Sequence, residues 1–160
     1  MANTQNLCAQ LASQLLQRQF TLATAESCTG GMIAAACTDL AGSSLWFERG
    51  YVTYSNAAKT EMLGVDAQLI ATQGAVSEGV ARSMVRGAAE RARTQVAVAV
   101  TGVAGPSGGS AAKPVGTVWF AWNVAGSITS EVMHFDGDRA AVRSATVLHA
   151  LQRLVTLLKG

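Results

Sequence analysis

Ser27 has the neighbours that best suit a nucleophile in this sequence. It lies in the stretch AESCTGG at residues 25–31, between a predicted strand and a predicted helix. The free N–H groups at the start of a helix can stabilise a serine alkoxide or the oxyanion of an acyl intermediate. A serine that merely caps the helix would have the same neighbours, and Cys28 is a rival nucleophile beside it. The stretch therefore indicates a candidate nucleophile and leaves the choice between these interpretations open.

A serine nucleophile needs a base, and the composition offers few. The chain has two histidines, His134 on a predicted strand and His149 in the last predicted helix, and both positions are typical of packed or surface residues. Lys59 follows Ser55, the expected N-cap of a helix, by four residues, so the helix dipole and partial burial would lower its pKa. A solvated helix lysine is the alternative. Tyr54 could exchange a proton through its hydroxyl or be an ordinary strand aromatic.

A glycine-rich stretch and two arginines are candidates for binding an anion. Residues 101–109 (TGVAGPSGG) follow a predicted buried strand, and glycine there lets backbone N–H groups approach a phosphate or an oxyanion. The stretch matches neither a Walker A loop nor the dinucleotide-binding motif. Arg139 and Arg143 are four residues apart on one face of a predicted helix, where they could clamp a phosphate or form a solvated face.

The hydrophobic pattern predicts how these residues are positioned. Helices and strands alternate over most of the chain, and two neighbouring strands follow late, which predicts a three-layer α/β/α sandwich with a mixed, mainly parallel sheet and one antiparallel pair. Strands are predicted at residues 21–25, 46–54, 96–100, 115–124 and 128–135. Helices are predicted at 7–16, 32–40, 56–63 and 78–93, and after Asp138 to the end of the chain.

Length, composition and charge limit the kind of protein. With 160 residues, 49% hydrophobic and 14% charged, the chain fits one tightly packed domain spanning residues 1–160. A net charge of +2 is too small to indicate a surface that binds nucleic acid. The three cysteines have no metal-ligand spacing. No signal-like N-terminus or stretch of about 18 apolar residues is present, so the expected location is the cytoplasm with no membrane partner. The composition also favours a homodimer.

Five stretches together resemble the nicotinamide-nucleotide amidase family, also known as the C-terminal domain of CinA-type competence/damage-inducible proteins. They follow the order of the family along almost the whole chain and are AESCTGG at 25–31, GYVTYSNAAK at 50–59, GAVSE at 74–78, TGVAGPSGG at 101–109 and KPVGT at 113–117. The resemblance implies hydrolysis of nicotinamide mononucleotide to nicotinic acid mononucleotide and ammonia in pyridine-nucleotide salvage, without cofactor or metal. Longer relatives carry an additional N-terminal domain, so the chain is expected to act as a standalone amidase or beside a separately encoded partner.

The resemblance also implies roles for individual residues. Ser27 would be the nucleophile and Lys59 the general base, with Tyr54 nearby and the Thr101 hydroxyl close to the oxyanion or the substrate. Arg139 and Arg143 match an arginine pair of the family, although which of them contacts the substrate stays open. The remaining candidate contacts to the mononucleotide are Thr29, Gly30, Gly31, Asn56, Gly102, Gly105, Gly108 and Gly109.

Two other functions remain as alternatives. A non-catalytic module that binds pyridine nucleotides would keep the glycine-rich stretch and the arginines but would need neither Ser27 nor Lys59. A competence or DNA-damage accessory protein is suggested only by the historical name of the family, and the weak positive charge argues against it.

Overall fold

The computed structural model describes residues 3–160, and Met1 and Ala2, part of the N-terminus considered above for a signal segment, lie outside it. Five strands form one sheet in the order β2-β1-β3-β4-β5. Their bounds are β1 Leu22–Glu26, β2 Phe47–Val52, β3 Val96–Gly102, β4 Thr117–Val124 and β5 Ser127–His134. β1 pairs in parallel with β2 and β3, whereas β4 runs antiparallel to both β3 and β5. The predicted mixed sheet is thus confirmed, with a second antiparallel pairing between β3 and β4.

Within residues 3–160, six helices and one short 3₁₀ turn cover the sheet. They are α1 Thr4–Arg18, α2 Met32–Thr38, α3 Asn56–Leu63, α4 Ala67–Gln73, α5 Glu78–Ala92, α6 Arg139–Lys159 and the 3₁₀ turn Ser43–Leu45. The side chains of Ser55, Ser77 and Asp138 accept hydrogen bonds from backbone N–H groups at the starts of α3, α5 and α6, as predicted. Two expectations were wrong: α4 was missed, and β2 ends at Val52, so Tyr54 lies in the loop beyond the strand.

The hydrophobic core has two parts, one on each face of the sheet. Val96, Val98 and Val100 of β3 face α1, α2 and α6. Ala97 and Ala99 of the same strand face α5 and the side carrying α3 and α4. Because neighbouring strand residues point to opposite faces, this continuous apolar run is buried on both sides. The arrangement is the predicted three-layer sandwich.

The parallel strands bring the candidate residues to one edge of the sheet. β1, β2 and β3 end there at Glu26, Val52 and Gly102. Ligands in α/β proteins commonly bind in the crevice beyond the carboxyl ends of such strands. The segments after β1 and β2, and the end of β3, therefore meet around one cleft.

None of the helices within residues 3–160 combines the length and the apolar character that crossing a bilayer requires.

Candidate active site

Ser27 and Lys59 are in direct contact, although 32 residues separate them in the sequence. Lys59 Nζ lies 2.9 Å from Ser27 Oγ. Ser27 follows β1 directly, and its N–H donates to the carbonyl of Val100 on β3. Lys59 lies in the first half of α3, whose N-cap is Ser55. The fold thus places an amine beside a serine hydroxyl at the edge of the sheet.

The Lys59 amine also contacts two backbone carbonyls. Its Nζ lies 2.9 Å from the carbonyl oxygen of Thr53 and 3.2 Å from that of Tyr54. A neutral amine has two N–H donors and one lone pair. If the two N–H bonds point to these carbonyls, the lone pair points to the Ser27 hydroxyl. The three contacts suit an ammonium that donates to all three oxygens as well as a neutral amine that accepts from Ser27, so burial decides between the two forms.

Burial disfavours the charged form of Lys59. Only 1% of the residue is exposed, and no carboxylate among residues 3–160 forms an ion pair with it. This desolvation lowers the pKa of Lys59 below its ordinary value, and a Cys28 thiolate would act in the opposite direction. Burial raises the pKa of Cys28 itself to about 11, so the thiol is neutral near pH 7 and the opposing effect is absent there. The neutral fraction of the Lys59 amine is consequently larger than that of an exposed lysine at the same pH.

A buried carboxylate shapes the turn that contains Ser27. Glu26 is fully buried, and its oxygens accept hydrogen bonds from the Thr29 hydroxyl at 2.5 Å and from the Ile33 and Ala34 N–H groups at 2.8 and 3.0 Å. These N–H groups belong to the start of α2, where a negative charge is stabilising. Gly31 has a φ of +108° at the N-cap, a conformation that glycine adopts without strain. Glu26 therefore attaches the turn to the start of α2.

The N–H group of Cys28 is a candidate donor to an oxyanion. Within the described chain, no backbone carbonyl accepts a hydrogen bond from it outside the regular helices and strands. It belongs to the residue after the candidate nucleophile, a position that often supplies an oxyanion donor in serine hydrolases. Cys28 also lines the cleft. The backbone N–H of Cys28 is thus a candidate oxyanion donor. Its thiol is a separate group and is neutral near pH 7.

A cleft of about 310 Å³ opens beside Ser27 and Lys59. One wall consists of Ala75 and Val76, which precede α5, and another of residues 101–105 and 107–108 in the glycine-rich stretch. Tyr54 and Arg139 lie at the same cleft. The volume falls at the lower end of the usual range for small-molecule sites, about 300–1,000 Å³.

Tyr54 and Arg139 contact each other at the rim of the cleft. Arg139, the first residue of α6, donates from Nη1 to the Gly105 carbonyl at 2.8 Å and from Nη2 to the Tyr54 hydroxyl at 3.0 Å. The Tyr54 residue is 58% exposed. The Tyr54 backbone carbonyl contacts Lys59, whereas its hydroxyl contacts Arg139. Tyr54 thus connects the two ends of the cleft through different atoms.

Several predicted site residues do not line the cleft. Arg143 donates to the carbonyls of Cys28 and Thr29 at 3.0 and 3.2 Å, so its guanidinium supports the turn that contains Ser27. Asn56 lies instead in a groove with residues of α4, including Ala67 and Ile70. The cleft lining also leaves out Thr29, Gly30, Gly31 and Gly109.

Sequence reasoning missed other residues that shape the site. Glu26 accepts hydrogen bonds from the start of α2, Thr53 accepts one from Lys59, and Ala75, Val76 and Ser107 line the cleft itself. All but Ser107 lie in stretches that carry the family resemblance without having been selected, and Ala75 and Val76 have no reactive group that could mark them. Only Ser107, in the glycine-rich stretch, lies in a segment that was singled out for binding.

The two histidines lie away from the cleft. His134 is exposed at the end of β5. His149 on α6 contacts Glu131 of β5, and its ring lies 4.8 Å from the ring of Phe120 between centroids. Neither lines the cleft, so the expectation that they are packed or surface residues is confirmed.

Comparison with known proteins shows extended similarity. The CinA C-terminal domain family matches residues 4–158. The nicotinamide-nucleotide amidohydrolase PncC of Pseudomonas putida is 55% identical over 151 residues, which cover 94% of each chain. PncC of Escherichia coli K12 is 52% identical over 149 residues, covering 92% of this chain and 90% of its own. A crystal structure of the competence/damage inducible protein CihA from Agrobacterium tumefaciens superposes with a TM-score of 0.95 at 44% identity, over 100% of this chain and 98% of that one.

Proposed function

The chain belongs to the CinA C-terminal domain family, and we propose that it is an amidohydrolase of nicotinamide mononucleotide. It hydrolyses the carboxamide to nicotinic acid mononucleotide and ammonia, a step of pyridine-nucleotide salvage, with residues 1–160 as the amidase domain. The relatives from P. putida and E. coli that bear the name nicotinamide-nucleotide amidohydrolase support this substrate. The single structural observation behind the chemistry is the 2.9 Å contact between Lys59 Nζ and Ser27 Oγ inside the cleft.

Acylation begins with proton transfer from Ser27 to Lys59. The neutral amine accepts the hydroxyl proton while Ser27 Oγ forms a bond to the carboxamide carbon. The Thr53 and Tyr54 carbonyls lie within hydrogen-bond distance of the amine and accept its N–H groups before and after the transfer. The negative oxygen of the tetrahedral intermediate accepts a hydrogen bond from the Cys28 N–H. Preorganised donors of this kind need no rearrangement as charge develops.

Ammonia leaves with the proton that Lys59 has taken. The Lys59 ammonium donates it to the amide nitrogen, the C–N bond breaks, and an ester remains on Ser27. A water molecule then gives a proton to Lys59 and adds to the ester carbon, and Lys59 returns this proton to Ser27 Oγ as the acid is released. The Tyr54 hydroxyl, which contacts Arg139, serves the rim of the cleft and leaves both proton transfers to Lys59.

The phosphate of the mononucleotide requires a positive site at some distance from Ser27. Arg139 supplies a guanidinium at the rim, and Gly105, Ser107 and Gly108 supply backbone and hydroxyl groups beside it. Arginine suits phosphate because its donors form a planar fork. Without substrate the fork donates to Gly105 and Tyr54, so phosphate would replace one or both of these partners. Arg143, with its bonds to the Cys28 and Thr29 carbonyls, positions the nucleophile.

Ammonia release by the purified protein tests this function. Wild-type protein should release ammonia from nicotinamide mononucleotide and form the corresponding acid in equal amounts. Ser27→Ala should lose nearly all turnover, whereas the matched control Cys28→Ser should stay within about tenfold of wild type, or about 1.4 kcal/mol. Binding of the nucleotide without ammonia release would support the non-catalytic module instead. A Cys28→Ser variant without activity beside an active Ser27→Ala variant would reverse the assignment of the nucleophile.

A further inference from the structure

The wall of the cleft that contains Ala75 and Val76 is a short segment between two helices. Residues 74–77 connect the end of α4 at Gln73 to the start of α5 at Glu78. Ala75 and Val76 line the cleft but supply no charged or catalytic group. Their effect on a bound substrate depends on where the backbone of the segment lies. What holds this backbone in place therefore matters for binding.

Three side chains donate hydrogen bonds to backbone carbonyls of this segment or to the carbonyl of Gln73, the residue before it. The Ser77 hydroxyl donates to the Gly74 carbonyl at 2.8 Å, and the Thr101 hydroxyl donates to the Ala75 carbonyl at 3.0 Å. The third is Lys113, whose Nζ donates to the Gln73 carbonyl at 2.6 Å. Gln73 ends α4, and a cation is stabilising at the carbonyl end of a helix.

Lys113 lies outside the cleft lining, in the loop that also contains the glycine-rich wall of the cleft. It lies in the loop of residues 103–116, whose base is closed by hydrogen bonds from Val103 N–H to the Thr117 carbonyl and from Gly116 N–H to the Val103 carbonyl. At the tip, the Ser110 hydroxyl accepts a hydrogen bond from the Lys113 N–H, and the Ser110 N–H donates one to the Lys113 carbonyl, which forms a turn. The loop is thus internally bonded, and the Lys113 side chain connects its tip to the Gln73 carbonyl, directly before residues 74–77.

Gly74 gives the lysine room to reach this carbonyl. A Cβ at Gly74 would lie 2.9 Å from Lys113 Nζ, and the glycine has a φ of +82°. A larger residue would strain the backbone and displace the ammonium. Lys113 is half-buried, and among residues 3–160 no carboxylate forms an ion pair with it. The Lys113 ammonium donates to the Gln73 carbonyl.

We propose that Lys113 is a positioning residue that sets the width of the substrate cleft by holding residues 74–77 against the loop of residues 103–116. The proposal rests on the proposed function, since the width matters to a bound nucleotide. Residues 74–77 contact no reacting atom in the mechanism above, so a displaced wall weakens binding of the substrate and of the transition state alike. Such a loss raises KM and leaves kcat nearly unchanged.

Lys113→Met removes the ammonium and keeps most of the side-chain length, and Lys113→Arg keeps a donor. Lys159→Met is the matched control, because Lys159 is exposed at the end of α6 and its loss changes the net charge equally. For ammonia release, Lys113→Met should raise the KM for nicotinamide mononucleotide about five- to tenfold with kcat within about twofold. Lys113→Arg should recover most of the affinity. An unchanged KM, or a fall in kcat at constant KM, would overturn the proposal.

Hydrogen exchange separates this proposal from the proposed function. In Lys113→Met, amides of residues 74–77 should exchange faster than in wild type and in Lys159→Met, while the strands keep wild-type protection. This measurement requires no activity. If wild-type protein releases no ammonia, the proposed function fails while exchange still decides on Lys113. Equal exchange in Lys113→Met and Lys159→Met would refute the role of the lysine, and faster exchange throughout Lys113→Met would also refute it, as a general loss of stability.

Discussion

Replacing Lys59 by methionine should change how the stability of the fold depends on pH. The folded state buries Lys59 with 1% of the residue exposed, and this burial lowers its pKa from 10.5. The unfolded chain exposes the lysine and restores the ordinary value. Between the two pKa values the unfolded state therefore binds more protons than the folded state. The contribution of Lys59 to the free energy of unfolding consequently rises with pH across this window.

The size of the effect follows from one proton and from the contacts that methionine removes. A full difference of one bound proton adds about 1.4 kcal/mol to the free energy of unfolding per pH unit. Methionine abolishes this term. It also deprives the Thr53 carbonyl of its Lys59 donor, at a cost of about 1–3 kcal/mol, whereas the Tyr54 carbonyl keeps the Ser27 hydroxyl as a donor at 3.5 Å. The free energy of unfolding of Lys59→Met should thus be closest to, or highest relative to, that of wild type at low pH. Relative to wild type it should fall progressively as the pH rises towards 10.5.

Urea denaturation of both proteins at a series of pH values measures this difference. Activity provides the second readout: kcat/KM of wild type should rise with pH through the lowered pKa of Lys59. Lys59→Arg, which keeps the charge but cannot deprotonate, should lose about 10²–10⁴-fold in rate, as Lys59→Met does. Parallel stability curves for wild type and Lys59→Met would refute the reasoning on burial. Substantial kcat in Lys59→Arg would refute the role as base.

Three further predictions concern the surroundings of this pair. Glu26→Gln replaces one acceptor oxygen by an amide NH₂ group that faces N–H or O–H donors, so it should destabilise the fold by roughly 3 kcal/mol in urea denaturation; wild-type stability would contradict the role of the carboxylate in the turn. Arg139→Met should raise the KM for nicotinamide mononucleotide at least about tenfold, whereas Arg143→Met should mainly lower kcat, and the reverse pattern would exchange their roles. Prolonged EDTA treatment should leave activity intact, because Ser27 and Lys59 supply the nucleophile and the base; loss of activity that zinc or magnesium restores would contradict this.

Local signals in the sequence were sufficient for most of the fold. Ser55, Ser77 and Asp138 were recognisable as N-caps, and the run from Val96 to Val100 as a strand buried on both faces. α4 escaped notice because Ile70 is its one buried residue, too little for a periodic apolar pattern. Helix α4 is stabilised by packing against α3 and α5, which no local pattern reveals.

The candidate site was predictable only in part. Residue types suggested a serine nucleophile and a lysine base, but a contact over 32 residues depends on the parallel pairing of β1 and β2, and the resemblance to a family made the pairing of roles specific. The helical spacing of Arg139 and Arg143 placed both on one side of α6. It could not show that the turn after β1 comes close to Arg143 while the cleft comes close to Arg139. Asn56 was selected only because it lies in the stretch at 50–59. The structure places it in another groove, lined by residues of α3 and α4.

The central claim is that Ser27 forms an ester with the substrate while Lys59 holds its proton. Peptide mass mapping of wild-type protein, quenched with acid during turnover of nicotinamide mononucleotide, tests this claim most directly. The peptide containing Ser27 and Cys28 should gain the mass of the substrate less ammonia. Fragmentation should locate the adduct on Ser27, and the adduct should be absent in Ser27→Ala. An adduct on Cys28, or undiminished ammonia release by Ser27→Ala, would contradict it.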